Sequence, residues 1–115
     1  MGEHNRYLGE FEEIVLLTVA HLSSNAYGVT IRQTVEEVAG RQTSIGAIYT
    51  TLERLEQKGY VSSRQGEPTA QRGGRAKRYF QIEGAGRQAL SEAQRIRDLL
   101  RSGFAPQLRG GTENI

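Results

Sequence analysis

Apolar residues recur at helical spacing near the start of the chain, which predicts a first helix over residues 10–23. One face of this helix consists of Phe11, Ile14, Val15, Thr18 and Leu22. Much of its remaining surface is also apolar and is formed by Leu16, Leu17, Val19 and Ala20. A helix that is apolar nearly all round must be covered on more than one side. In a chain this short, we expect a second subunit to supply part of that cover.

Two further helices follow after short turns. The second is expected over residues 27–38 and is ended by Gly40, since glycine readily adopts the left-handed conformation of a helix terminus. The third begins after Ser44, a favourable N-cap residue, and ends before Gly59. Their apolar faces consist of Tyr27, Ile31, Val35 and Val38 in the second helix, and of Ile45, Ile48, Tyr49, Leu52 and Leu55 in the third.

The spacing then changes from helical to alternating, which predicts a β-hairpin. Strands are expected at residues 60–64 and 75–82, joined by a loop at 66–74 that is rich in turn-forming residues. A last helix, at residues 85–102, carries apolar residues in steps of four, three and four, the spacing of a coiled-coil seam. The seam consists of Ala89, Ala93, Ile96 and Leu100.

The chain has 115 residues and a net charge of +2, but the charge is unevenly distributed. Residues 1–60 carry five basic and eight acidic side chains, a balance of −3, whereas residues 61–115 carry ten basic and five acidic, a balance of +5. Within residues 64–78, five cations accompany a single acid, Glu67. A local basic cluster is typical of proteins that bind polyanions such as nucleic acids.

The sequence offers little for catalysis or for a bound cofactor. It has no cysteine, no pair of acidic or histidine side chains at metal-ligand spacing on one helix, and no nucleophile elbow or phosphate-binding loop. We therefore expect a protein that is not an enzyme and that holds no metal or cofactor. The longest apolar run, residues 14–20, is too short to span a bilayer and no signal peptide is visible, so we expect a cytoplasmic protein.

Two helices joined by a short turn and followed by a basic hairpin are typical of a winged helix-turn-helix domain. The predicted fold is therefore mainly α with a small β-hairpin. We expect a DNA-binding winged helix-turn-helix domain at residues 8–83, a C-terminal dimerisation helix at 84–104 and a disordered tail at 105–115. In such domains the second helix of the motif enters the major groove and reaches base edges from its N-terminal part.

The candidate DNA-contacting residues lie on the third helix and the hairpin. Thr50 can hydrogen-bond a base or a phosphate, and the methyl groups of Ala47 and Thr50 can pack on a thymine methyl. Hairpin cations would contact phosphates or the minor groove, which gives affinity with little sequence information. The complete set is Ser44, Gly46, Ala47, Tyr49, Thr50, Arg54, Arg72, Arg75, Lys77, Arg78 and Tyr79.

Three of these residues have a second interpretation. Tyr49 could pack on the core, a role that is compatible with DNA contact. Arg54 could pair with neighbouring acids on a solvated face, although we favour DNA. Tyr79 is expected to support the hairpin rather than to read sequence.

Four segments resemble the PadR family of transcriptional regulators: LGEFEEIVLL at 8–17, AYGVTIR at 26–32, SIGAIYTTLERLEQKGYV at 44–61 and GGRAKRYF at 73–80. The last two are the most specific, because they combine a tyrosine-centred recognition helix with a Gly-Arg-x-Lys/Arg-x-Tyr wing. The short C-terminal part is similar to the subgroup with a single C-terminal helix. The resemblance implies a dimeric regulator, usually a repressor, whose C-terminal helices pair and which can respond to a small molecule.

The expected partners are double-stranded DNA bound at an inverted repeat, a second copy of the chain, and a small hydrophobic effector between the first and last helices. The expected dimer interface consists of Leu16, Leu17 and Ala20 with Ala89, Ala93, Ile96 and Leu100. The alternative is a winged-helix protein-interaction module without a specific DNA target. The basic hairpin favours DNA, because a pure interaction module would not need five cations there.

Overall fold

The four segments with helical spacing form helices, and the alternating segments form a hairpin, in the computed structural model, which describes residues 6–67 and 76–103. The order is α1 (Glu10–Leu22), a 3₁₀ turn (Ser23–Asn25), α2 (Gly28–Ala39), α3 (Ile45–Gln57), β1 (Val61–Gln65), β2 (Arg78–Ile82) and α4 (Gly84–Ser102). The predicted mainly α fold with one small hairpin is confirmed. The tail expected to be disordered, 105–115, lies outside the described residues.

Helices α1, α2 and α3 pack around a shared apolar core that the hairpin closes on one side. Each fully buried leucine-sized side chain in such a core contributes roughly 1.5–3 kcal/mol relative to an exposed one. The core consists of Val15, Leu16, Val19, Ala26, Ile31, Val35, Ile48, Leu52, Leu55, Tyr60, Val61 and Phe80.

The placement of three apolar residues was predicted wrongly. Leu16, expected at the dimer interface, has no exposed surface because it lies on the side of α1 that faces the core of its own chain. Val38 and Ile45, expected on core-facing stripes, are 81% and 40% exposed. They lie in the last turn of α2 and the first turn of α3, which extend past the core.

The ends of the helices are set by local chemistry. Ser23 adopts a positive φ of 56° directly after α1, which breaks the helix and turns the chain toward α2. Gly40 follows α2 in the left-handed conformation, at φ 65°, as expected from its position. The Ser44 hydroxyl accepts a hydrogen bond from the Ala47 N–H at 3.0 Å and so caps α3.

The hairpin is attached to the helical core along the edge of β2. Strands β1 and β2 pair antiparallel with Val61 opposite Ile82 and Arg64 opposite Tyr79. On its other edge, β2 forms a bridge between Tyr79 and Tyr27, and the Phe80 N–H donates to the Ala26 carbonyl at 2.8 Å. An isolated bridge and a backbone hydrogen bond therefore attach the residues just before α2 to the outer edge of β2.

Helix α4 leaves the hairpin and packs lightly on α1. Gly86 is its one buried residue among those described, and a Cβ atom there would lie 2.4 Å from the Tyr60 carbonyl oxygen. Further along, Arg97 pairs with Glu13 of α1. Much of the α4 surface, including Ile96 and Leu100, remains exposed in the single chain.

Candidate nucleic-acid interface

The N-terminal half of α3 presents an exposed surface of small side chains. Gly46, Ala47 and Thr50 are exposed together on it, and Ser44 lies at its edge as the helix cap. Arg54 is exposed one turn further along and forms no ion pair with a described residue. The structure thus brings the residues predicted to face the bases onto one surface, as the helical periodicity of the sequence predicted. Their DNA contacts remain predictions.

Tyr49 is half-buried between α3 and the start of α2. Its ring lies against Gly28, and its centroid is 6.3 Å from that of Phe80. The packing interpretation of Tyr49 is therefore present in the structure, and it leaves part of the side chain exposed. A contact between Tyr49 and DNA stays a prediction.

Arg78 is committed to contacts inside the chain. Its guanidinium pairs with Glu56 of α3 at 2.8 Å, its Nε donates to the Ser63 hydroxyl at 3.2 Å, and it lies 5.0 Å from the centroid of the Phe80 ring. The Ser63 hydroxyl in turn donates to Glu56 at 3.0 Å. This network joins the hairpin to α3, so the geometry favours a structural role for Arg78 over the predicted DNA contact.

Lys77 and Arg64 are held differently, by aromatic rings. Lys77 Nζ is 4.6 Å from the centroid of the Tyr27 ring, and Arg64 Cζ is 5.0 Å from the centroid of the Tyr79 ring. The two rings are 5.4 Å apart and meet edge to face. Neither cation pairs with a carboxylate of the described residues, so both keep an uncompensated charge. The other two predicted cations, Arg72 and Arg75, lie outside the described residues.

Tyr27 and Arg64 are the two residues of this arrangement that the candidate set omitted. Tyr27 was assigned to a core-facing helix stripe, and Arg64 was counted only as part of the basic cluster. Alternation along β1 indicates that Arg64 shares a face with Ser62, but the pairing of Tyr27 with Tyr79 joins segments 52 residues apart. Such a pairing depends on tertiary packing and leaves no local signal in the sequence.

The C-terminal end of α3 is tied to the start of α1 through Lys58. Its ammonium donates to Glu12 at 2.8 Å and to the Tyr7 carbonyl at 3.0 Å, and both charged side chains are largely buried. Burial raises the pKa of Glu12. Hydrogen bonds from Lys58 and the Gly9 N–H, together with the positive charges of Lys58 and Arg54, lower it by more than burial raises it, so the pKa lies below its ordinary value. The ion pair fixes the C-terminal end of α3 to α1.

A groove of about 780 Å³ lies between the segment before α1, the end of α3 and one face of α4. Its apolar lining includes Tyr7, Leu8, Tyr60, Ala89, Ala93 and Ile96. It shares no lining residue with the exposed surface at the N-terminal half of α3. An apolar molecule or an apolar helix could therefore occupy the groove without touching that surface.

The described residues contain no group of three or more His, Cys, Asp or Glu side chains that could hold a metal ion. In the same part of the chain, no helix is long and apolar enough to cross a membrane.

A helix-turn-helix followed by a two-stranded wing on the same core defines a winged helix-turn-helix domain. The profile of the transcriptional regulator PadR-like family matches residues 16–92, and the chain belongs to this family. The family comprises transcriptional regulators, not enzymes. No curated protein sequence matches the chain.

Solved structures of the same fold include three informative relatives. A PadR-like transcription factor from Bacteroides fragilis is 24% identical, with a TM-score of 0.70 and coverage of 82% of this chain and 85% of that one. A Streptococcus transcriptional regulator is 26% identical, with a TM-score of 0.62 and coverage of 84% and 91%. Bacillus subtilis PadR in complex with operator DNA is 17% identical, with a TM-score of 0.62; the match covers 73% of this chain and 46% of that one.

Proposed function

We propose that the chain is a cytoplasmic, sequence-specific DNA-binding repressor that acts as a homodimer on an inverted-repeat operator. The observation that carries the proposal is the exposed N-terminal half of α3, with small side chains at Gly46 and Ala47. Beside it lies a wing whose cations Lys77 and Arg64 pair with no carboxylate among residues 6–67 and 76–103. Small residues allow close approach to base edges, and unneutralised cations suit phosphates. The operator complex of Bacillus subtilis PadR, which shares the fold, supports the same use here.

The two elements divide the work of binding. Thr50 faces outward from α3 and is the best donor and acceptor for a base edge, with Ala47 offering a methyl contact. The wing supplies affinity that is independent of sequence, because phosphates are the same at every base pair. Arg72 and Arg75 belong to this second class in the proposal.

Dimerisation rests on the apolar surface that a single chain leaves open. Leu17 on α1 is 50% exposed, and Ile96 and Leu100 on α4 are 41% and 66% exposed. Ala20, Ala89 and Ala93 are half-buried and small enough for close helix packing. The proposed interface therefore keeps the predicted residues except Leu16, which is buried in its own chain.

The groove beside α4 is the proposed site of a small hydrophobic effector. Its lining includes Ala89, Ala93 and Ile96, which are also proposed dimer contacts, so a ligand and the partner helix would meet at the same residues. It also includes Lys58, which anchors the end of α3. A ligand there could change DNA affinity only by binding one dimer geometry better than another. The apolar part of the lining, with Tyr7, Leu8 and Ile96, suits a hydrophobic ligand, and charged residues such as Arg6 and Glu92 line the same groove.

The test is the affinity for duplex DNA as a function of salt and sequence. If a dimer neutralises roughly 6–10 phosphates, affinity should fall about 10³–10⁵-fold between 50 and 200 mM salt. Thr50→Ala should reduce the preference for one base at a single half-site position by about 1–3 kcal/mol. Lys77→Gln should instead weaken binding to all sequences alike. Arg101→Gln, which removes an exposed cation far along α4, is the control. A flat salt dependence would contradict DNA as the partner.

A further inference from the structure

The cations of the wing fall into two groups according to what holds them. Arg78 is held by the carboxylate of Glu56, whereas Lys77 and Arg64 are held by the faces of Tyr27 and Tyr79. A carboxylate cancels the charge it pairs with. An aromatic face attracts a cation through its quadrupole but carries no net charge, so the cation keeps its full attraction for an anion elsewhere.

Tyr27 occupies the central place in this arrangement. Its backbone forms a β-bridge with Tyr79, and the centroids of the two rings are 5.4 Å apart. The Lys77 ammonium lies 4.6 Å from the centroid of the Tyr27 ring. The four side chains therefore run in the order Lys77, Tyr27, Tyr79, Arg64. Glycine at position 66 makes room for the Tyr79 ring, since a Cβ atom there would lie 2.7 Å from it.

We propose that Tyr27 is a positioning residue for DNA binding: its ring holds Lys77 in place, still charged, to contact a phosphate of the DNA backbone. The inference rests on the proposed function and names the contact through which the wing acts. A lysine side chain loses rotamer freedom when it binds, and a ring that already restricts Lys77 reduces that loss. Tyr79 plays the same part for Arg64, which becomes a second wing contact.

The test is a double-mutant cycle between Tyr27 and Lys77, with duplex affinity measured over a range of salt. Tyr27→Leu should weaken binding roughly two- to tenfold without changing the salt slope, because the cation is still present. Lys77→Gln should weaken binding and reduce the slope by about one unit for each protomer that uses the contact. In the Lys77→Gln background, Tyr27→Leu should have a much smaller effect on affinity, limited to what its contact with Tyr79 passes on to Arg64.

The conservative variant separates positioning from hydroxyl chemistry. Tyr27→Phe keeps the ring and should bind DNA as the parent does. Thermal unfolding of each variant, run alongside, checks that the helical core is intact. A Tyr27→Leu loss that persists unchanged in the Lys77→Gln background, or a Tyr27→Phe variant as weak as Tyr27→Leu, would overturn the inference. If the parent fails to bind any duplex, it is the proposed function that fails instead.

Discussion

Gly28, the first residue of α2, lies beneath the ring of Tyr49 from α3. A Cβ atom added at Gly28 would lie 2.5 Å from the Tyr49 hydroxyl oxygen and 2.7–2.8 Å from two atoms of its ring, closer than Cβ contacts occur in proteins. Tyr49 can therefore keep its position over the start of α2 only because residue 28 has no side chain. The packing of Tyr49 against the start of α2 therefore depends on residue 28 being glycine.

Gly28→Ala should lower the free energy of unfolding by about 1–3 kcal/mol, because the added methyl group must displace the Tyr49 ring or α3 itself. Denaturant unfolding followed by circular dichroism measures the change. Gly84→Ala is the matched control: it also lies in a first helical turn, but nothing lies within 4 Å of its Cβ position. A Gly28→Ala variant as stable as the Gly84→Ala variant would show that Tyr49 moves aside at no cost.

Arg78 should matter for stability more than for DNA binding. Replacing Arg78 with Gln removes the ion pair with Glu56, whose two side chains are 39% and 36% exposed, so the expected coupling is only about 0.2–1 kcal/mol. The salt slope of DNA binding should be unchanged, unlike that of Lys77→Gln. An Arg78→Gln variant with a reduced slope would assign Arg78 to the DNA after all.

The Glu12–Lys58 pair makes part of the stability dependent on pH. The pKa of Glu12 is lower in the folded chain than its ordinary value, so the ionised form favours folding. That contribution is present above the unfolded pKa of about 4.3 and is lost as the pH falls through the lower folded value. Glu12→Gln should therefore destabilise the protein at pH 7, and the difference from the parent should shrink as the pH is lowered below about 4.

Urea unfolding at several pH values gives this difference directly. Glu53→Gln serves as the control, since Glu53 is exposed on α3 and forms no ion pair with a described residue. The explanation fails if the Glu12→Gln destabilisation is the same at low pH as at neutral pH.

The sequence was a good guide to the elements and a poorer guide to their partners. Helical spacing predicted α1 to α4 because one face of each must be apolar, and Ser44 and Gly40 marked helix ends through local chemistry. The burial of Leu16 could not be derived in this way, because a helix that is apolar all round does not reveal which side its own core covers.

The same limit applies within the candidate interface. Exposure of Gly46, Ala47 and Thr50 follows from the helical wheel, and the structure agrees. Arg78 pairs with the Glu56 carboxylate, whereas Lys77 lies against the Tyr27 ring. These partners are set by the strand register and by the packing of segments that are distant in sequence. A count of basic residues treats the two as equal.

The proposed dimer can be disrupted without damaging the fold. Ile96 and Leu100 are exposed in the single chain, so replacing both with Asp should leave the core intact while placing charges in the interface. Light scattering should then report a monomer, and specific DNA affinity should be lost because the two half-sites are no longer joined. Ser91→Asp, an exposed change elsewhere on α4, should leave the dimer unaffected.

A double Asp variant that remains dimeric would place the interface elsewhere. A parent protein that is itself monomeric would remove the proposed dimer, and a monomeric variant that binds the operator as tightly as the parent would show that pairing is unnecessary.

Selection of bound duplexes from a random DNA pool tests the central proposal most directly, because it asks whether this surface reads sequence. Two copies of α3 related by a twofold axis should enrich an inverted repeat with half-sites about one helical turn, roughly 34–36 Å, apart. Thr50→Ala should change the preferred base at one position of each half-site. A pool that shows no enriched sequence, or an enriched site without twofold symmetry, would contradict this account.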